Sequence, residues 1–145
     1  MNRITKRITL VVALSLVSLV GVSQLAHASE SERAKQRAAE AEMIWQKIAR
    51  EQPQSAEAHF NLGIALGRQG RWSEAIAAYQ TAIKLQPGQT AAYLNLGRAF
   101  TETRQLQAAK DSYQAALRLD PGLSLAQERL NELKTRGGSV AVNEK

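Results

Sequence analysis

Gly63 and Gly97, Tyr79 and Tyr113, and Pro87 and Pro121 each recur at a separation of 34 residues. The same shift pairs Ala58 with Ala92, Asn61 with Asn95, Leu62 with Leu96, Ala65 with Ala99, Ala75 with Ala109, Gln80 with Gln114, Ala82 with Ala116, Leu85 with Leu119 and Gly88 with Gly122. Twelve identities in one ungapped window mean stacked copies of a small unit, because a fixed period of this length marks a unit that buries its apolar face only against its neighbours. Such stacks expose a long concave surface, so the period already favours binding over catalysis.

The first unit spans residues 55–88 and the second 89–122. From Ser55 to about Arg68, Ala58, Leu62, Ala65 and Leu66 fall at helical spacing, with Phe60 and Ile64 on a second stripe. Gly70 can close that helix, since glycine tolerates the left-handed conformation. Ser73 is the expected N-cap of the next helix. Its stripe is Ala75, Ile76, Tyr79, Ala82, Ile83 and Leu85, and Pro87 stops it. The second unit repeats this layout, but its turn at Thr103-Arg104-Gln105 has no Gly, which predicts a tighter or different shape. Gly63 and Gly97 lie inside predicted helices, where Gly costs about 1 kcal/mol against Ala. A site that accepts this twice needs the missing Cβ, which predicts Tyr79 and Tyr113 packing close to the backbone there.

On these residues the chain resembles the tetratricopeptide repeat, whose motif reads W-x2-L-G-x2-Y, then A-x3-F, A and P. The first unit supplies His59, Leu62, Gly63, Leu66, Ala75, Tyr79, Ala82 and Pro87, and the second Tyr93, Leu96, Gly97, Phe100, Ala109, Tyr113, Ala116 and Pro121. His59 and Leu66 depart mildly from the usual Trp and Tyr. The resemblance implies an all-α fold: an α-α superhelix, a right-handed solenoid of helix pairs with flanking capping helices.

About three repeats are normally needed for stability, so the flanks must cover the two apolar ends. Residues 29–54 are expected to supply an N-terminal helix, 30–51, that packs as a degenerate repeat helix through Ala34, Ala38, Ala41, Trp45, Ile48 and Ala49. Ser29 and Glu32 are its candidate capping box. Residues 123–134 are expected to form a C-terminal capping helix. Ser124 and Gln127 would cap it, Leu125, Leu130 and Leu133 would cover the last repeat, and Gln127, Glu128, Arg129 and Glu132 would form a polar outer face. Residues 135–145 read as a disordered tail.

Residues 1–28 carry a basic stretch (Arg3, Lys6, Arg7), an apolar run from Ile8 to Val22, and Ala26-His27-Ala28. This is the anatomy of a secretory signal peptide cleaved after Ala28. The expectation is a small exported protein of bacterial type, in a periplasm or equivalent lumen. The competing reading is a membrane anchor through residues 8–25, although the run is short of the ~20 residues that span comfortably. Loss of Arg3, Lys6 and Arg7 lowers the net charge from +6 to +3, which excludes a nucleic-acid footprint.

Catalytic chemistry has little to draw on. Cys is absent, and His59 is the only histidine beyond the leader and occupies a packing position. Asp111 and Asp120 are the only aspartates. Nothing offers a converging metal-ligand set, a phosphate loop or a nucleophile elbow. The expectation is no enzyme activity, no metal and no cofactor. Trp45 and Trp72 are read as core residues.

In the family, the first helix of each pair lines a concave groove. The resemblance therefore assigns a peptide-binding groove to Glu57, Phe60, Asn61, Ile64 and Arg68, and to Leu94, Asn95, Arg98, Thr101 and Glu102. Phe60, Ile64 and Leu94 would form an apolar floor. Asn61 and Asn95 offer both donor and acceptor to a peptide backbone, and Arg98 or Arg68 could pair with a carboxylate. The carboxylate clamp of chaperone-binding members places a Lys just before the Asn and an Asn three residues after it. Phe60 and Ile64, then Leu94 and Arg98, stand there instead. The expected partner is a partly apolar peptide or helix of an envelope protein. The competing function is structural, through self-association or tethering by the N-terminal helix.

Overall fold

The computed structural model describes residues 29–138, with side chains through Thr135. The leader expected over 1–28, and residues 139–145 of the expected tail, lie outside the described residues. The helices are α1 (residues 29–51), α2 (Ala56–Arg68), α3 (Trp72–Leu85), α4 (Thr90–Glu102), α5 (Leu106–Leu119) and α6 (Ser124–Gly138). No strand occurs among the described residues. The chain divides into two units between Arg37 and Ala38. In the first, residues 29–37 are helical and exposed, and Glu32 pairs with Lys35 at 3.0 Å.

In the second unit each helix from α2 onward packs on its successor, and α2 also touches α4. That pattern is an all-α helical solenoid. Small residues make the close packing feasible: Ala58, Ala75, Ala82, Ala92, Ala99, Ala109 and Ala116 are completely buried. The two mid-helix glycines pair with the two tyrosines as expected. A Cβ on Gly63 would lie 2.5 Å from Tyr79 Cε1, and one on Gly97 would lie 2.7 Å from Tyr113 Cδ1.

The two intra-unit turns have the same shape, contrary to the expectation drawn from the missing Gly. After α2, the Arg71 amide donates to Leu66 O and the Gly70 amide to Gly67 O. After α4, the Gln105 amide donates to Phe100 O and the Arg104 amide to Thr101 O. Both are Schellman closures, with the residue before the last in the left-handed region. Gly70 has φ 76° and Arg104 has φ 60°. The hydrogen bonds hold Arg104 in a conformation that its Cβ opposes.

Several helix starts differ from expectation. Ser55 caps α2 by accepting from the Ala58 amide at 3.2 Å. Ser73 already lies inside α3, whose N-cap is Arg71 with no side-chain cap bond. Ser29 is likewise already helical. At α6 the Leu123 carbonyl accepts the first helical bonds, and Gln127 reaches forward to Asn131 Oδ1 rather than back to Ser124. A cap residue must hold non-helical backbone, and Ser73 and Ser124 are themselves helical. α6 also runs to Gly138, past the expected end at Lys134. No proline stops it, and each added residue gains a backbone bond until the glycine pair.

Ala38 and Ala49 of α1 are buried, Ala41, Trp45 and Ile48 are half-buried, and Ala34 is exposed. The α2–α3 turn ties down α1 beyond Ala38. Gln69 Nε2 donates to Glu42 Oε2 at 2.9 Å and Arg71 Nη1 to Glu42 Oε1 at 2.6 Å. Arg71 also forks onto both oxygens of Glu74. The Gln69 bond, then Arg71, hold the Glu42 carboxyl below its ordinary range, and Arg71 does the same for Glu74.

Candidate functional site

α2 and α4 touch directly and α6 packs at the end of the same zigzag, so these three helices form one inner row. Two cavities open along this row. The N-terminal cavity, about 270 Å³, is lined by Ile64, Gly67, Arg68, Trp72, Tyr79, Asn95 and Arg98. The C-terminal cavity, about 470 Å³, is lined by Leu94, Asn95, Arg98, Thr101 and Glu102 of α4, Tyr113 of α5, and Leu125, Arg129, Glu132 and Leu133 of α6. Asn95 and Arg98 belong to both, so the two spaces adjoin.

Seven of the ten expected groove residues therefore line a cavity. Phe60 and Asn61 line neither, and nor does Glu57. Phe60 packs on Tyr79, with ring centroids 6.0 Å apart. Asn61 is half-buried on α2. Of the expected floor residues, Ile64 faces one cavity, Leu94 the adjoining one, and Phe60 the Tyr79 ring.

The polar groups differ between cavities. Asn95 Nδ2 donates to Ala91 O at 2.9 Å, which leaves its Oδ1 to accept from a ligand. Thr101 Oγ1 donates to Gly97 O and lies 3.4 Å from the Tyr113 hydroxyl. Burial pushes the Tyr79 hydroxyl up to about 12, against the opposing fields of Arg98 and Arg68. Burial also raises Tyr113. Arg129 pairs with Glu132 at 3.0 Å, and that carboxylate raises its already high pKa.

Sequence reasoning missed two sets of lining residues. Arg129 and Glu132 face the C-terminal cavity rather than forming part of an outer face, and Leu125 is 41% exposed beside them instead of covering the last repeat. The signal was available: Arg129 lies one period beyond Asn95, and Glu132 one period beyond Arg98. Trp72 is only half-buried, and Arg98 lies over its ring at 5.3 Å. It is a wall of the N-terminal cavity as well as a packing residue.

Among the described residues no three metal-ligating side chains converge, and no helix is long and apolar enough to cross a membrane. His59 Nε2 meets Pro53 O at 3.1 Å and thereby anchors the turn before α2.

A family model described as a tetratricopeptide repeat matches residues 28–89 and 60–124. No curated protein matches the sequence. Among solved structures, the first TPR of Spaghetti (RPAP3) bound to an HSP90 peptide is similar, with TM-score 0.69 and 24% identity over 70% of this chain and 81% of that one. MamA gives TM-score 0.69 and 25% identity over 73% of this chain and 62% of its own. The type III secretion translocator chaperone SycD of Yersinia enterocolitica gives TM-score 0.69 at 13% identity, covering 76% and 82%. These are likenesses of fold.

Proposed function

Because the chain belongs to the tetratricopeptide repeat family, we propose that it is a non-enzymatic interaction module that holds a peptide or helix of another protein in its concave groove. The observation that carries this reading is the pair of adjoining cavities on the inner helices, bridged by Asn95 and Arg98. Apolar walls from Ile64, Trp72, Leu94 and Leu125 alternate there with arginines, carboxylates and an amide oxygen. That mixture suits a partly apolar segment whose polar groups set its register. The similar domain of RPAP3 was solved with a peptide bound, which supports the same use of this surface.

The partner is proposed to be a protein of the cell envelope, met after export and cleavage behind Ala28. Fractionation and N-terminal sequencing of the secreted form test the export. Affinity capture with wild type beside an Asn95→Ala, Arg98→Glu variant of equal Tm tests the groove. Loss of a captured partner in the variant is expected, and equal capture overturns the assignment.

One observation favours a second reading. Met43 and Ile44 of α1 are 72% and 56% exposed, neighbouring apolar side chains without cover. Self-association through α1 would bury them. Sedimentation of wild type beside Met43→Ser, Ile44→Ser decides it: a monomer at all concentrations rejects the reading.

A further inference from the structure

The N-terminal cavity exists because the first unit departs from the second at two positions. Gly67 stands where the second unit has Thr101, and Trp72 where it has the exposed Leu106. The bare Gly67 backbone lets the Trp72 ring close in, and a Cβ there would lie 3.0 Å from Trp72 Cζ3. The same exchange removes the partner that Thr101 gives the Tyr113 hydroxyl, so the Tyr79 hydroxyl makes no hydrogen bond among the described residues.

Two cations meet at this cavity and no carboxylate does. Arg68 and Arg98 both line it, and neither enters an ion pair among the described residues. The groove carboxylates Glu102 and Glu132 line the other cavity. Arg98 lies over the Trp72 face, an arrangement that orients a guanidinium and leaves its edge N–H groups free for a planar acceptor. The volume, about 270 Å³, falls just below the ~300–1,000 Å³ of small-molecule sites and suits a side chain.

We infer that this cavity is a specificity subsite for a Glu or Asp side chain of the bound peptide, held by Arg68 and Arg98 against the Trp72 ring. The inference rests on the groove reading above. A terminal carboxylate is the other source of the same chemistry. The side chain is preferred because the cavity continues past Asn95 and Arg98 into its neighbour, so the peptide chain has room to run on in that direction.

The test is selection of a random linear peptide library, displayed with its C-terminus fused, against the full chain and against its Arg68→Gln, Arg98→Gln variant. Both residues are exposed, so the variant should keep the wild-type circular dichroism. The expected result is an acidic position enriched by wild type and lost with the variant. A selected peptide should bind the variant about tenfold more weakly, while its Gln-for-Glu version binds both proteins alike. In a Trp45→Phe background, that peptide should also change Trp72 emission. A pool enriched without acidic preference, or one whose preference survives in the variant, overturns the subsite and leaves the groove standing. Acid preference appearing only in a library with free C-termini overturns the side-chain assignment. No enrichment from either library overturns the groove reading and this inference together.

Discussion

The ring of Tyr79 occupies the space in which a side chain on Gly63 would begin. A Cβ there would come within 2.5, 2.7 and 3.0 Å of three ring carbons, and the ring itself is only 3% exposed. Gly63→Ala should therefore destabilise the protein by about 1–2 kcal/mol, an overpacking cost partly offset by better helix propensity. In a Tyr79→Leu background the same substitution should turn neutral or favourable, and the double-mutant cycle by denaturant unfolding measures the coupling. Gly88→Ala is the control. A Cβ on Gly88 would find nothing within 4 Å, and its φ is not positive, so stability should hold or rise.

Arg104 carries out, with a Cβ, the turn that Gly70 makes without one. Arg104→Gly should raise stability by about 0.5–1 kcal/mol, and Gly70→Ala should lower it by about 1 kcal/mol. For a domain of this size the Tm should move by several degrees in each case. No gain from Arg104→Gly would mean that the turn is held by more than its two closing bonds.

The Glu42–Arg71–Glu74 cluster makes stability depend on acid. Both carboxyls are lowered from the ordinary 4.5, Glu42 chiefly by Gln69 and Glu74 by Arg71. A depressed folded-state pKa contributes stability that is full above the unfolded value and is lost as pH falls through the folded one. The Tm of wild type should thus fall below about pH 4.5, and part of that fall should vanish in Arg71→Gln. Parallel Tm curves for the two proteins between neutral pH and about pH 3 would count against the cluster.

Arg98 over Trp72 should be visible by fluorescence. In Trp45→Phe, the remaining indole reports on that face. Arg98→Gln should shift its emission and cost about 0.5–1 kcal/mol, while Arg98→Lys should retain part of the effect. An unchanged spectrum would remove the stacked guanidinium from the subsite.

Cavity lining was legible wherever it follows from period and helix phase, as for Ile64, Arg68 and the α4 residues. Phe60 and Asn61 line neither cavity, and Phe60 packs on the Tyr79 ring, so repeat-equivalent positions are not environment-equivalent. Arg129 and Glu132 were misread because an end cap was expected to turn charge outward. Their phase puts them on the inner row, where they pair with each other instead.

The sequence by itself determined the helix order, the stops at Pro87 and Pro121, and the glycine–tyrosine pairing, since each depends on local backbone chemistry or on a fixed offset of 34 residues. Tertiary packing alone decided that Trp72 folds against Gly67 and that Arg98 lies over it. Those outcomes depend on which side chains arrive from a neighbouring helix, and a helical residue shows its phase in the sequence but not the surface it will meet.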